Sequence, residues 1–77
     1  MDHDHALSAL HAGDLLEAVI KPAEDANGWM LVFLTRSHEQ VVYGGHTGTE
    51  KVYQTLDQAT EVAREIGFHD IRVEEGF

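Results

Sequence analysis

Six histidines are the residues of this 77-residue chain that most readily suggest chemistry. His3, His5 and His11 lie near Asp2 and Asp4, and imidazole and carboxylate groups are suitable ligands for a transition metal. Their spacing is not that of a structural zinc site, and the first two histidines fall in a segment that we expect to fray. We therefore interpret this stretch as solvated and predict no metal site. The other three histidines are assigned to separate turns: His38, His46 and His69.

The stretch Gly44-Gly45-His46-Thr47-Gly48-Thr49 has the glycine content of a phosphate-binding loop. A loop of the Walker type places Lys and then Ser or Thr directly after its last glycine, and a helix follows. Here Thr49 and the acidic Glu50 follow, and the next element is expected to be a strand. We therefore interpret the stretch as a flexible connection.

Other catalytic arrangements are not indicated. Every acidic residue falls on a predicted solvent face or turn, and neither Ser8 nor Ser37 has a neighbouring base that the sequence can place. A chain of this length also leaves little room for a buried active site of roughly 300 Å³ or more. We therefore predict a protein that is not an enzyme and that needs no cofactor.

Cysteine content and hydropathy indicate a cytoplasmic protein. There are no cysteines, hence no disulfides or thiol chemistry, which suits a reducing compartment. No apolar stretch approaches the roughly 20 residues that span a bilayer. The first five residues, which carry two aspartates and two histidines, lack the basic region of a signal peptide.

The rest of the chain is organised around residues 29–36. Six large apolar side chains follow one another there, which is typical of a strand buried on both faces of a sheet. Alternation would place Trp29, Leu31 and Phe33 on one face and the remaining three on the other: Met30, Val32 and Leu34. We expect both faces to be covered.

The segment before this strand predicts a short helix over 4–12, capped by Asp2 or Asp4 and ended by Gly13. Residues 14–23 favour a strand with Leu16, Ala18 and Ile20 on its inner face, joined to the central strand through a hairpin at Asn27-Gly28. Pro22 cannot donate to a ladder, so this would be an edge strand. The alternative is a single helix from Asp4 to Lys21.

After a turn at 37–40, strands are predicted over 41–43 and 51–54. The clearest helix spans 56–66, with Thr55 and Gln58 forming a capping box and Gly67 ending it. Phe68 would pack back on the last turn, and a strand with Ile71 and Val73 inward would close the fold. The fold class is therefore α+β: a single domain, 1–77, with an antiparallel three- to four-stranded sheet, the second helix packed on one face and a short N-terminal helix.

Charge is the most unusual property of the chain, which carries −9 with its histidines neutral. Such a surface repels phosphate backbones, so direct binding to nucleic acid or to an anionic membrane is not expected, and a basic protein partner is favoured. A sheet face left without a helix would be a dimerisation or partner site. The candidate partner-binding residues are Asp57, Glu61, Glu65, Glu74, Glu75 and Phe77.

Five segments together carry a resemblance to known proteins: Gly28-Trp29-Met30, Thr47-Gly48-Thr49-Glu50-Lys51-Val52-Tyr53, Leu56-Asp57-Gln58-Ala59, Ile66-Gly67-Phe68 and Arg72-Val73-Glu74-Glu75. The chain resembles small acidic accessory proteins of bacterial plasmids and integrative conjugative elements, some of them partition-associated. The resemblance implies a cytoplasmic bacterial protein that serves a mobile genetic element. It supplies no binding residues.

Two functions follow as hypotheses. The first is a non-enzymatic accessory protein that binds another protein, with a homodimer as one possibility. The alternative is an acidic DNA mimic that inhibits a nucleic-acid-binding complex, of the anti-restriction or anti-CRISPR type. A mimic should carry rows of acids at phosphate-like spacing, and its binding should weaken strongly with salt. An enzyme or a metal carrier ranks last.

Overall fold

The computed structural model describes residues 1–23, 28–44 and 52–74. These residues form two helices and four strands, so the fold is α+β as predicted. In chain order the elements are α1 (His3–His11), β1 (Leu15–Pro22), β2 (Trp29–Thr35), β3 (Gln40–Val42), α2 (Leu56–Ile66) and β4 (Ile71–Val73).

The four strands form one mixed sheet in the order β3-β2-β1-β4. β1, β2 and β3 pair as an antiparallel meander, whereas β4 lies parallel to β1. This corrects the prediction of a purely antiparallel sheet. The reason lies in the connection, because α2 carries the chain back across the sheet before β4 begins, and such a crossover lets two strands run in the same direction.

β1 is a strand, which settles the choice between a strand and one long helix. Its position corrects the expectation of an edge strand, because β1 lies between β2 and β4. Pro22 is tolerated because it is the last residue of β1, beyond the β4 ladder, whose final bond is donated by Glu74 N–H to the Ile20 carbonyl at 2.7 Å.

A β-bulge near the start of β1 changes which side chains face inward. The register shifts between Leu15 and Glu17, so Leu15 is buried and Leu16 is 50% exposed. Ala18 and Ile20 face inward as predicted, but Leu16 does not.

Both helices pack on the same face of the sheet and enclose one core. Ala6 of α1 and Ala59 and Ala63 of α2 are fully buried against the sheet, and their small side chains allow a close approach of helix and strand. Phe33 lies at the centre, with its ring stacked on Phe68 at a centroid distance of 5.0 Å. The strand residues of this core are Leu15, Ala18, Ile20, Leu31 and Phe33.

Local signals define both ends of α1. Asp2 is the N-cap, and its Oδ1 accepts from the His5 backbone N–H at 2.9 Å. At the other end Gly13 has φ 78°, and Asp14 N–H returns to the Ala9 carbonyl at 2.9 Å. Gly13 in this left-handed conformation ends the helix in a Schellman motif, as the sequence predicted.

The predicted limits of α2 are confirmed. Thr55 Oγ1 accepts from Gln58 N–H at 3.1 Å, and the Gln58 side chain accepts in return from Gln54 N–H at 3.1 Å. Gly67, at φ 125°, ends the helix, and Phe68 turns back into the core at 5% exposure. β4 follows with Ile71 against the core, while Val73 stays 42% exposed.

The strand predicted over 51–54 is reduced to one bridge in the part that the structure describes. Trp29 and Tyr53 exchange backbone hydrogen bonds of 2.8 and 2.7 Å. Gly28 allows this approach, since a Cβ there would lie 2.6 Å from the Tyr53 carbonyl oxygen and closer still to a Val52 methyl. Lys51, Asn27 of the predicted hairpin and positions 45–49 of the glycine-rich loop lie outside the described residues.

Candidate functional site

The face of the sheet turned away from the helices is a candidate interaction surface, and we call it the open face. No helix or strand among residues 1–23, 28–44 and 52–74 covers it. Its residues alternate with those of the core and lie beside one another in the register of the four strands. They are Glu17, Val19 and Lys21 of β1, Met30, Val32 and Leu34 of β2, Gln40 and Val42 of β3, Arg72 of β4, and Glu74 directly after β4, whose carboxylate lies 4.0 Å from the Arg72 guanidinium.

The prediction that the central strand is covered on both faces therefore needs correction. The alternation of its side chains is confirmed, with Leu31 and Phe33 in the helix-side core. Of the three β2 side chains on the open face only Val32 is buried, at 1% exposure, and Met30 and Leu34 are half-buried.

Val19 and Val32 are shielded by long polar side chains from neighbouring strands. Lys21 Nζ donates to Gln40 Oε1 at 3.0 Å. Because β2 lies between these two residues, this bond passes over β2 where Val32 sits. The aliphatic part of a lysine covers apolar surface in this way while its charged end stays near water.

A second polar group lies over the β1 side of the open face. Arg72 stands beside Val19 in the register, and its guanidinium reaches Glu17 at 3.3 Å and Glu74 at 4.0 Å. Glu17 and Glu74 are balanced by Lys21 and Arg72, so the open face carries no net formal charge. This neutrality contrasts with −9 for the whole chain.

The outer surface of α2 is the second candidate. Asp57, Glu61 and Glu65 are exposed, four residues apart, and lie opposite the buried Ala59 and Ala63. None of the three carboxylates lies within ion-pair distance of a cation in the described part of the chain, although Arg64 belongs to the same helix. We call these three residues the acidic row.

Of the other three predicted partner-binding residues, the structure describes only Glu74. Glu74 follows β4 and lies beside Arg72, on a different part of the molecule from α2. Glu75 and Phe77 lie outside the described residues. Of the four predicted residues that the structure describes, only those of the acidic row share a surface.

The N-terminal histidines have partners within the fold. His5 Nδ1 lies 2.8 Å from Asp2 Oδ1, and His3 Nδ1 lies 3.0 Å from the Tyr43 hydroxyl. The pKa of Asp2 is lowered, first because its carboxylate accepts the His5 backbone N–H and then through the nearby His5 side chain. Within the described ranges no group of three or more His, Cys, Asp or Glu side chains could hold a metal ion.

An open groove of about 560 Å³ lies beside α1, toward β3. Its lining includes Ala9, Ala12 and Val41 together with His5 and Asp14. No charged side chain among the described residues is buried, so none is desolvated in the way that general acids and bases usually are. The polar side chains that line the groove, those of His5, Ser8 and Asp14, are all exposed.

The sequence does contain a pattern that indicates the open face, although the predictions above did not include it. Glu17 and Lys21 flank Val19 at two-residue spacing, which is the pattern of a strand with a solvated face. Arg72 could not be placed there without the topology, because β4 neighbours β1 only after the crossover.

In comparisons with known proteins, the chain matches no family model, no curated protein and no solved structure. None of the helices in the described ranges is long and apolar enough to cross a membrane.

Proposed function

We propose that this chain is a non-enzymatic accessory protein whose acidic row binds a basic protein partner. The observation that carries the proposal is the separation of charge between two surfaces: the acids of α2 have no ion-pair partner among the described residues, while the open face is neutral. The absence of a buried charged side chain in the described ranges favours binding over catalysis.

The resemblance of five segments to plasmid and conjugative-element proteins supports a role in the maintenance of a bacterial mobile element. In this proposal the protein acts in the cytoplasm, where a basic partner such as a nucleic-acid-binding protein would meet it. Opposite charge raises the rate of such an encounter and favours this class of partner over others.

A DNA mimic is the second candidate because the acidic row has regular spacing. Carboxylates four residues apart on a helix are about 6 Å apart along its axis. Duplex DNA carries one negative charge per about 1.7 Å of axis, which is several times denser. Three carboxylates at this density favour a local protein contact over imitation of a duplex.

The test is affinity capture from a bacterial lysate with the wild-type chain and two variants of equal net charge. The first variant neutralises the acidic row, and the second neutralises three exposed acids elsewhere. The substitutions are Asp57→Asn, Glu61→Gln and Glu65→Gln in the first, and Asp14→Asn, Glu39→Gln and Asp70→Asn in the second.

We expect one or more basic proteins to be retained by the wild type and by the control variant, and to be lost when the acidic row is neutralised. Retention should also fall as ionic strength rises toward about 1 M, where the screening length is about 3 Å. Retention that survives neutralisation of the row would contradict the proposal. Retention that duplex DNA competes away would favour the mimic.

A further inference from the structure

We propose that the open face is the interface of a homodimer, in which two copies pack sheet against sheet about a twofold axis along the Val19–Val32 row. This inference is independent of the acidic row, which lies on α2. It assigns to the open face an occupant that is a second copy of the chain.

The first step is the pattern of residues around the axis. Glu17 and Lys21 lie two residues to either side of Val19 on β1, and Met30 and Leu34 lie two residues to either side of Val32 on β2. Rotation about the row that joins the two valines exchanges the two ends of each strand. Leu34 of one copy then meets Met30 of the other, and Glu17 meets Lys21.

The second step is charge. Two copies that each carry −9 repel one another over most of their surface. The open face is neutral, and the twofold axis places Glu17 of each copy against Lys21 of the other, so these two positions are complementary between copies. A partner whose surface is uniformly positive or uniformly negative would gain no net attraction to a neutral face. A second copy would gain two Glu17–Lys21 contacts.

The axis also brings the two Arg72 side chains toward each other at the β4 edge. Each of them is flanked by Glu17 and Glu74 of its own copy, so the approach is not one of two unpaired cations. Arg72 is 56% exposed, and its guanidinium has room to move away from the axis.

The third step is area. Strands of eight, seven, three and three residues, at about 4.8 Å spacing and about 3.3 Å rise per residue, give a face of roughly 330 Å², or roughly 670 Å² for the two copies. Stable interfaces bury about 1,200–2,000 Å² in total, and smaller ones belong to weak complexes. We therefore expect a weak, reversible dimer.

The test exchanges the paired charges and follows the monomer–dimer equilibrium by sedimentation. Glu17→Lys should bring the introduced ammonium group of one copy against Lys21 of the other, and Lys21→Glu should bring two carboxylates together. Each variant alone should self-associate roughly tenfold more weakly than the wild type. An equimolar mixture of the two should form a heterodimer, because each of its two contacts then joins a lysine to a glutamate.

Matched controls carry the same charge changes on the β2–β3 turn: Glu39→Lys and Arg36→Glu, both at residues outside the open face. These variants and their mixture should not reproduce the pattern, and circular dichroism should show that all variants remain folded. A wild type that is monomeric at roughly millimolar concentration would overturn the proposal, since even weak complexes populate there. A mixture no more associated than its separate components would do the same, as would an equal effect in the control pair.

Discussion

Two electrostatic effects decide how ionic strength changes the stability of the proposed dimer: repulsion between the two negatively charged copies, and attraction within the Glu17–Lys21 pairs. Packed sheets lie about 10 Å apart, which places the centres of two such two-layer copies about 20 Å apart. Two charges of −9 at that distance repel by about 17 kcal/mol in water without salt. The screening length shortens from about 30 Å at 0.01 M to about 10 Å at 0.1 M, which reduces the repulsion to about 9 and then about 2 kcal/mol.

The local contacts change by much less over the same range. Two exposed Glu17–Lys21 pairs contribute about 0.2–1 kcal/mol each, so salt can remove at most about 2 kcal/mol of attraction. Relief of repulsion is larger, and self-association should therefore strengthen at least about tenfold between 0.01 M and 0.1 M ionic strength. Binding of a basic partner to the acidic row should weaken over the same range.

Sedimentation equilibrium at a series of ionic strengths and constant pH measures this dependence directly. The Glu39→Lys variant serves as a control, since it lowers the net negative charge by two at a residue outside the open face and should therefore flatten the salt response of self-association. Self-association that weakens steadily with added salt would refute the reasoning, because the dimer contacts would then be mainly ionic rather than apolar.

Four further perturbations test the fold. Phe33→Ala should cost about 3–5 kcal/mol of unfolding free energy because it empties the helix-side core, whereas Leu34→Ala, at the next position but on the open face, should cost clearly less; urea unfolding measures both. Thr55→Ala should cost about 1 kcal/mol through loss of the α2 cap, and Thr55→Ser should be close to neutral in the same assay. Gly28→Ala should break the bridge from Trp29, seen as faster hydrogen exchange at its amide, while a Gly13→Ala control should leave that amide unchanged. The pKa of Asp2 is lowered in the folded chain, so the ionised carboxylate stabilises the fold above the unfolded pKa of Asp2, and this stabilisation is lost as pH falls through the folded pKa. The Asp2→Asn variant keeps the cap and should therefore lose less helix signal by circular dichroism on acidification.

The helix α2 shows how far local chemistry determines an element. Thr55 and Gln58 satisfy the first N–H groups, Gly67 takes a conformation that other residues adopt with strain, and the apolar residues between them share one side. All of these signals lie within a dozen residues of one another, so no knowledge of the tertiary structure was needed to predict the limits of this helix.

The order of the strands depends on contacts that no local signal specifies. Pro22 indicated an edge strand, yet β1 is interior, because what matters is whether a neighbouring strand extends as far as the proline. The same reason hid the direction of β4, since its alternating sequence fits a parallel ladder as well as an antiparallel one. The open face followed from this order and could not be assembled from the sequence alone.

The two helices suffice to cover one face of the sheet. A helix is about 10 Å wide, so α1 and α2 side by side span about 20 Å, which is the width of four strands at about 4.8 Å each. A second layer would need about two more helices, and residues 1–23, 28–44 and 52–74 form no helix besides α1 and α2. A sheet in this situation can make its outer face polar, and β1 and β4 do so with Glu17, Lys21 and Arg72.

β2, in contrast, does not carry polar residues on its outer face. Its three outward residues are all apolar, and the Lys21–Gln40 bond covers Val32 but leaves Met30 and Leu34 partly exposed. A solvated central strand gains nothing from two such side chains, and they add to the risk of non-specific association. A second copy that places Leu34 on Met30 gives these residues a physical reason to be apolar, and the flanking charges restrict the association to one orientation.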